Sequence, residues 1–261
     1  MATPPLRSME RAFELLQEIV RVGERRSITS LAADIGMPPS TAHRVAATLE
    51  RGGFILRLRR GHYLPGPALW GLAHRGILNR TLTAVGSSVI KELAKTTTCT
   101  AHLGVLENGM VTYLVKAGRE RSKIFTREGT QLEAYCTGIG KVLLASLPRP
   151  DLEEYLRQGP FIALTPNTLT EPHALCAALD DVRSRGYAVD DAEMDTNLRC
   201  LAVPVRDSQQ LTLAALSIST RRANVGPNEL LAHLGALQAA AEALAYRLAP
   251  PVRNPRRALS P

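Results

Sequence analysis

The feature that most narrows the fold lies between Ser27 and Leu64: a short apolar-periodic run, a glycine, a second run opened by proline and closed by two glycines, then two strand-like stretches around a basic turn. The first run, Ser30 to Ile35, has helical spacing with Ser27 or Thr29 available as cap, and Gly36 supplies the positive φ that a tight interhelical turn needs. Met37 and Pro38 complete that turn, and Pro39 stands where proline is tolerated, at the first position of the next helix. From Pro39 to Arg51 the residues Ala42, Val45, Ala46 and Leu49 share one apolar face, which leaves Ser40, Thr41, His43, Arg44, Ala47, Thr48 and Arg51 outward. Phe54-Ile55-Leu56 and Tyr63-Leu64 then read as strands of a hairpin carrying Arg57, Arg59, Arg60 and His62. Upstream, Met9 to Val22 has the period of a further amphipathic helix, with Ser8 as its N-cap and Gly23 beyond its end.

This order of elements is that of a winged helix-turn-helix, and the outward side chains suit it. Arginine bridges guanine O6 and N7 in the major groove, and serine and threonine bond phosphates or base edges, so Ser40, Thr41, His43, Arg44 and Thr48 are expected to read duplex DNA. Ser30, on the preceding helix, joins the same set. Arg57, Arg59, Arg60 and His62 are expected to track the phosphate backbone. Charge is distributed to match: residues 1–80 hold twelve Lys/Arg against six Asp/Glu, whereas residues 81–249 hold seventeen against eighteen. A basic block on a near-neutral body faces a polyanion, or is merely a solvated basic surface, and charge alone leaves both open.

Cys99, Cys136, Cys176 and Cys200 form no CxxC and have no histidine at zinc-ligand spacing, so neither a metal site nor a cofactor is expected. No stretch has the length of a signal peptide's apolar run or of a membrane span, which points to a cytoplasmic protein without a membrane partner and with reduced thiols. Pro65 and Pro67 bracket the exit from the hairpin, and Ala68 to Asn79 reads as an amphipathic linker helix whose apolar stripe needs a partner. A twofold dimer would also address two half-sites about 34 Å apart.

Beyond residue 85 the pattern is mixed. Val89 to Ala94 is helical; strands are expected near Ala101–Leu106 and Val111–Ala117, joined by Glu107-Asn108-Gly109 as a hairpin turn. Helices follow at Gly138–Ser146, Asp151–Arg157 and Pro172–Arg185, strands at Tyr187–Asp190, Leu198–Arg206 and Leu211–Thr220, and a last helix over Asn228–Leu248. This is an α+β layout with an antiparallel sheet flanked by helices. Thr137 can cap the helix that Gly138 opens, whose first N–H groups lack intrahelical partners and suit an anion such as a carboxylate. Val142 in place of Ser/Thr excludes a Walker phosphate loop.

Ser8-Met9-Glu10-Arg11-Ala12-Phe13-Glu14-Leu15-Leu16, the Ser30 to Arg44 segment, Gly61-His62-Tyr63-Leu64-Pro65-Gly66, Gly138 to Ala145, Arg183 to Asp190 with Glu193, and Leu198 to Val205 together resemble the IclR family of bacterial regulators over nearly the whole chain. The resemblance implies a GAF-like effector-binding fold for the second half and a linker that helps pair subunits, as a homodimer or tetramer. It implies effector contacts from the amides of Gly138 and Ile139 and from Asp190, Leu198, Cys200, Ser217 and Ser219. Two departures, Glu133 and Tyr135 where the family usually has Pro and His, are expected at the rim of that pocket. Asn197 replaces a frequent glycine, and asparagine tolerates the left-handed conformation such a turn needs.

The expected organisation is a winged helix-turn-helix over 1–66, a linker helix over 67–84, an effector-binding domain over 85–249 and a disordered basic tail over 250–261. The expected partners are double-stranded operator DNA, a small-molecule effector of carboxylate type and further copies of the chain. An enzyme using Cys136 or Cys200 as nucleophile with His102 or His173 as base is the alternative of another class, but no motif joins these residues and no catalytic residue is assigned. A ligand-blind architectural DNA binder would leave more than half of the chain without a role.

Overall fold

The computed structural model describes residues 6–72, 75–118, 124–221 and 227–248. The chain divides into two compact units, 1–78 and 79–261. The tail expected over 250–261 lies outside the described residues.

In the first unit, α1 (Arg7–Val22), α2 (Ile28–Asp34) and α3 (Pro39–Arg51) precede a hairpin of β1 (Ile55–Arg59) and β2 (His62–Pro65), and a short helix α4 (Pro67–Leu72) follows. Ser27 caps α2 by accepting from the Ser30 amide at 3.3 Å. Ser8 is not a cap: α1 starts at Arg7, and Leu6, with no side-chain acceptor, holds the N-cap position. Gly36 takes φ 63°, the left-handed value that lets the chain reverse between α2 and α3. The apolar faces of the three helices meet over Leu15, Ile19, Ile28, Leu31, Ala42 and Ala46, and Ile55 and Tyr63 of the hairpin close the same core.

The second unit is built on one six-stranded antiparallel sheet in the order β5-β4-β3-β8-β7-β6, from β3 (Thr100–Glu107), β4 (Met110–Ala117), β5 (Gln131–Glu133), β6 (Ala188–Asp191), β7 (Leu198–Arg206) and β8 (Thr212–Arg221). β3 and β4 join through Asn108 and Gly109, at φ 52° and 79°, the conformation of a two-residue primed turn. One face of the sheet packs on α5 (Arg75–Thr97) and α10 (Leu234–Leu248) through Ile90, Leu93, Leu103, Leu201, Leu216 and Leu237. The other face packs on α6 (Gly138–Ala145), with α7 (Arg149–Leu156) and α8 (Pro172–Arg185) in the same core. Because strand side chains alternate, Ala101 and Leu103 of β3 face the first layer and Thr100, His102 and Gly104 face the second. α6 lies close: a Cβ on Gly140 would meet the Ala134 carbonyl oxygen at 2.1 Å, so only glycine fits there.

Three elements differ from the sequence reading. The helix expected over Ala68–Asn79 is described on either side of residues 73–74 as α4 and α5, and α5 extends well past Asn79, to Thr97. Thr83 and Ser87 hide the period of α5, yet their hydroxyls donate to the carbonyls of Asn79 and Thr83 one turn back, at 2.8 and 2.7 Å. The last helix is two, α9 (Pro227–Leu231) and α10, and the three-residue β5 has no counterpart in the sequence pattern.

Candidate functional site

The first unit presents α3 with Ser40, His43, Arg44 and Thr48 exposed and Thr41 partly so. Thr48 Oγ1 donates to the Arg44 carbonyl at 3.0 Å, which turns that hydroxyl back along the helix. Arg57, Arg59 and Arg60 are exposed on the hairpin. His62 differs. Its Nδ1–H donates to the Glu24 carbonyl at 2.9 Å, so that ring nitrogen is committed within the protein. Ser30 is also engaged: its Oγ accepts from Arg26 at 2.6 Å, within a fork that also grips Asp34 at 2.6 Å.

The second unit contains a cavity between the sheet and the N-terminus of α6. Gly138, Ile139, Asp190, Leu198, Cys200, Ser217 and Ser219, gathered from α6, β6, β7 and β8, all line it. Register explains the convergence. Thr100, Ser219, Cys200 and Asp190 are successive cross-strand partners in one row over β3, β8, β7 and β6, and His102 faces Ser217 in the next row. Thr137 caps α6 by accepting from the Gly140 amide at 3.2 Å. The amides of Gly138 and Ile139 have no hydrogen-bond partner among the described residues. They carry the positive end of the helix into the cavity.

Asp190 is 1% exposed, and its Oδ1 accepts from the Glu193 amide at 2.8 Å. Burial first, and the nearby Glu193 second, push its carboxyl up to about 7, against the pull of Lys141. Burial likewise raises the Cys200 thiol well above its ordinary value and the Cys136 thiol to about 12. Next to the cavity, Lys141 of α6 forms a buried ion pair with Glu193 and donates to the Val189 carbonyl at 2.6 Å. Glu193 is fixed from the other side by Thr168, whose Oγ1 donates to its carbonyl at 2.7 Å.

Glu133 and Tyr135 do not reach the cavity lining. Tyr135 is buried in the core with its ring stacked on Phe161 at 4.7 Å and its hydroxyl donating to the Ile162 carbonyl at 2.9 Å. Glu133 ends β5, and its carbonyl accepts from Thr137 Oγ1 at 3.0 Å, so it supports the cap. Asn197 does not adopt the left-handed conformation; the positive φ of that loop falls at Ala192, at 62°. The sequence reading missed His102, Tyr113, Ile124, Phe125, Thr126, Leu132 and Met194 as lining residues. One signal was available: His102 is a lone polar ring in the apolar β3 run.

A helix-turn-helix with a basic hairpin, joined in one chain to a domain with a buried cavity whose lining is polar at the sheet and apolar at its flanks, defines a ligand-binding DNA regulator. Residues 8–59 match the IclR helix-turn-helix domain, and residues 75–246 match the bacterial transcriptional regulator IclR C-terminal domain. The chain is 32% identical to the HTH-type transcriptional regulator XynR of Escherichia coli strain K12 over 95% of its own length and 99% of that protein's. Among solved structures it resembles the Thermotoga maritima IclR, at TM-score 0.62 and 30% identity, covering 92% of this chain and 98% of that one. It also resembles an IclR homologue of Microbacterium hydrocarbonoxydans complexed with 4-hydroxybenzoate, at TM-score 0.60 and 25% identity, with 92% and 98% covered. The chain belongs to the IclR family of bacterial transcriptional regulators.

Proposed function

We propose that the protein binds operator DNA through α3 and the β1–β2 hairpin and that a carboxylate effector, held in the cavity of the second unit, controls that binding. One observation carries the reading: the unpartnered amides of Gly138 and Ile139 open into the same cavity as Asp190, Ser217 and Ser219. Two aligned N–H groups at a helix N-terminus favour an anion. Asp190, raised to about 7 by burial and then by Glu193, is about half protonated at pH 7, and in that form it adds a hydrogen-bonding group without a like charge. The 4-hydroxybenzoate in the Microbacterium homologue is a carboxylate of this kind.

The cavity leaves only about 10 Å³ for a water-sized sphere, room for a single water. An organic acid therefore enters as lining side chains part, and this displacement supplies the differential affinity that couples effector binding to DNA binding. The protein acts as a cytoplasmic homo-oligomer, its two recognition helices set for half-sites about 34 Å apart. A non-catalytic role fits the thiols, which burial keeps protonated and poor as nucleophiles. No described helix is long and apolar enough to cross a membrane, and among the described residues no group of His, Cys, Asp and Glu is placed to hold a metal ion.

Footprinting on the promoter regions of the gene and its neighbours, with and without a panel of carboxylic acids, tests the proposal. Protection of one duplex over random DNA, altered by an acid, supports it; no preference under any condition defeats it. Within that assay Arg44→Ala is expected to weaken specific binding by about 1–3 kcal/mol and relax base preference at one position. An unchanged footprint would remove Arg44 from the reading set. Arg59→Ala is expected to weaken all sequences alike and to flatten the salt dependence; a sequence-selective loss would show instead that the hairpin reads bases.

A further inference from the structure

His102 is 1% exposed and lines the cavity. Its Nε2 is bonded to Thr126 Oγ1 at 2.8 Å, while its Nδ1 has no hydrogen-bond partner among the described residues. A buried polar nitrogen left unmatched is costly, and native proteins rarely keep one without use. The ring is held from several sides. It meets Tyr113 edge-on at 5.1 Å between centroids. Thr126 is fixed in turn, because Lys116 donates to its carbonyl at 2.5 Å and to that of Ile124 at 2.7 Å. Ser217, also on the lining, is the cross-strand partner of His102, which places the two Cβ atoms about 5 Å apart on one face.

We infer that His102 is a specificity-determining residue and that the effector is a hydroxylated carboxylic acid, whose hydroxyl occupies the unmet hydrogen-bonding position at His102 Nδ1 beside Ser217. The inference rests on the carboxylate reading above and adds the second polar group of the ligand. The imidazole is neutral, since burial is the largest cause holding its pKa down at about 3, with Lys116 adding to it. In a neutral ring Nδ1 either accepts or donates, depending on which way the proton lies between Nε2 and Thr126. A hydroxyl satisfies both states, because it donates and accepts. A second carboxylate satisfies only one, and a methyl group satisfies neither. The flanks of the cavity, Tyr113, Ile124, Phe125, Leu132, Met194 and Leu198, suit an apolar skeleton between the two polar ends.

Titration calorimetry of the full-length protein with matched pairs tests this: benzoate against 3- and 4-hydroxybenzoate, propionate against lactate, and hexanoate against 6-hydroxyhexanoate. In at least one pair the hydroxy acid is expected to bind about tenfold more tightly than its parent. His102→Phe is expected to erase that advantage to within about twofold, and His102→Gln, which keeps a donor and an acceptor, to restore part of it. Equal binding of parent and hydroxy acid in every pair overturns the inference while the carboxylate reading stands, and the wild-type comparison decides this whether or not a variant folds. Survival of the advantage in His102→Phe overturns the assignment of His102. Binding by none of these acids overturns both readings.

Discussion

Replacing Lys141 by methionine is expected to lower the free energy of unfolding by about 3–5 kcal/mol, the usual cost of stranding one partner of a buried ion pair. Lys141 and Glu193 are 4% and 8% exposed, the pair is made through Glu193 Oε1, and Oε2 has no hydrogen-bond partner among the described residues. Burial raises the Glu193 carboxyl above its ordinary range even with Lys141 opposing it. Without the ammonium, that pKa rises further, so the folded variant holds a proton that the unfolded chain releases. Stability of the variant then falls as pH rises from the unfolded value upward, and the deficit against wild type is smaller at pH 5 than at pH 8. Chemical denaturation at both pH values measures this. Lys141→Met/Glu193→Leu, which removes both charges, is expected to recover much of the loss. A deficit under about 1 kcal/mol at pH 8, the range of an exposed ion pair, would show that the pair does not fasten α6 to the loop after β6.

That pair also marks where a sequence stops being readable. The helix-turn-helix was legible because its signals are local: Ser27 before a helical period, Gly36 at the turn, Pro39 at a first helical position and a basic hairpin after Gly53. Asn108-Gly109 was legible for the same reason, as two residues that accept positive φ side by side. Lys141 and Glu193 are separated by 52 positions, and no local pattern announces that the fold presses them together. His102 reads in sequence as one polar residue on a core strand, and only the pairing of β3 with β8 sets it opposite Ser217. Tyr135 was misplaced through closeness in sequence to the Thr137 cap. It sits ahead of a turn that carries its ring into the core beside Phe161, while Thr137 and Gly138 continue to the cavity. The site residues that were legible are those tied to the Gly138 helix start or to strand alternation, as with Ser217 and Ser219 flanking the buried Ile218.

Effector affinity is expected to be level below pH 6 and to fall about a hundredfold by pH 9, because the binding-competent form is the one with Asp190 protonated and its fraction drops about tenfold per unit once pH passes its pKa. The folded-state value is about 7, raised by burial and then by Glu193, with Lys141 acting the other way. Below it a neutral carboxyl and an anionic effector share the cavity; above it two anions do, in surroundings too dry to screen them. Of the other groups facing Asp190, burial holds Cys200 and Tyr113 up in their protonated forms and His102 down in its neutral form, while Glu193, itself raised by burial, is paired with Lys141. The same shift costs stability. The unfolded carboxyl ionises near pH 4, so the folded state binds the extra proton between there and 7, and stability declines across that window as pH rises. Asp190→Asn keeps an oxygen for the Glu193 amide and cannot ionise, so it is expected to bind the effector with a level profile from pH 6 to 9 and to melt higher than wild type at pH 8. Calorimetric titrations at four pH values with the tightest acid of the matched pairs decide it. A level wild-type profile, or a fall that persists in Asp190→Asn, would place the effector's charge away from Asp190, against the unpartnered amides of Gly138 and Ile139 alone.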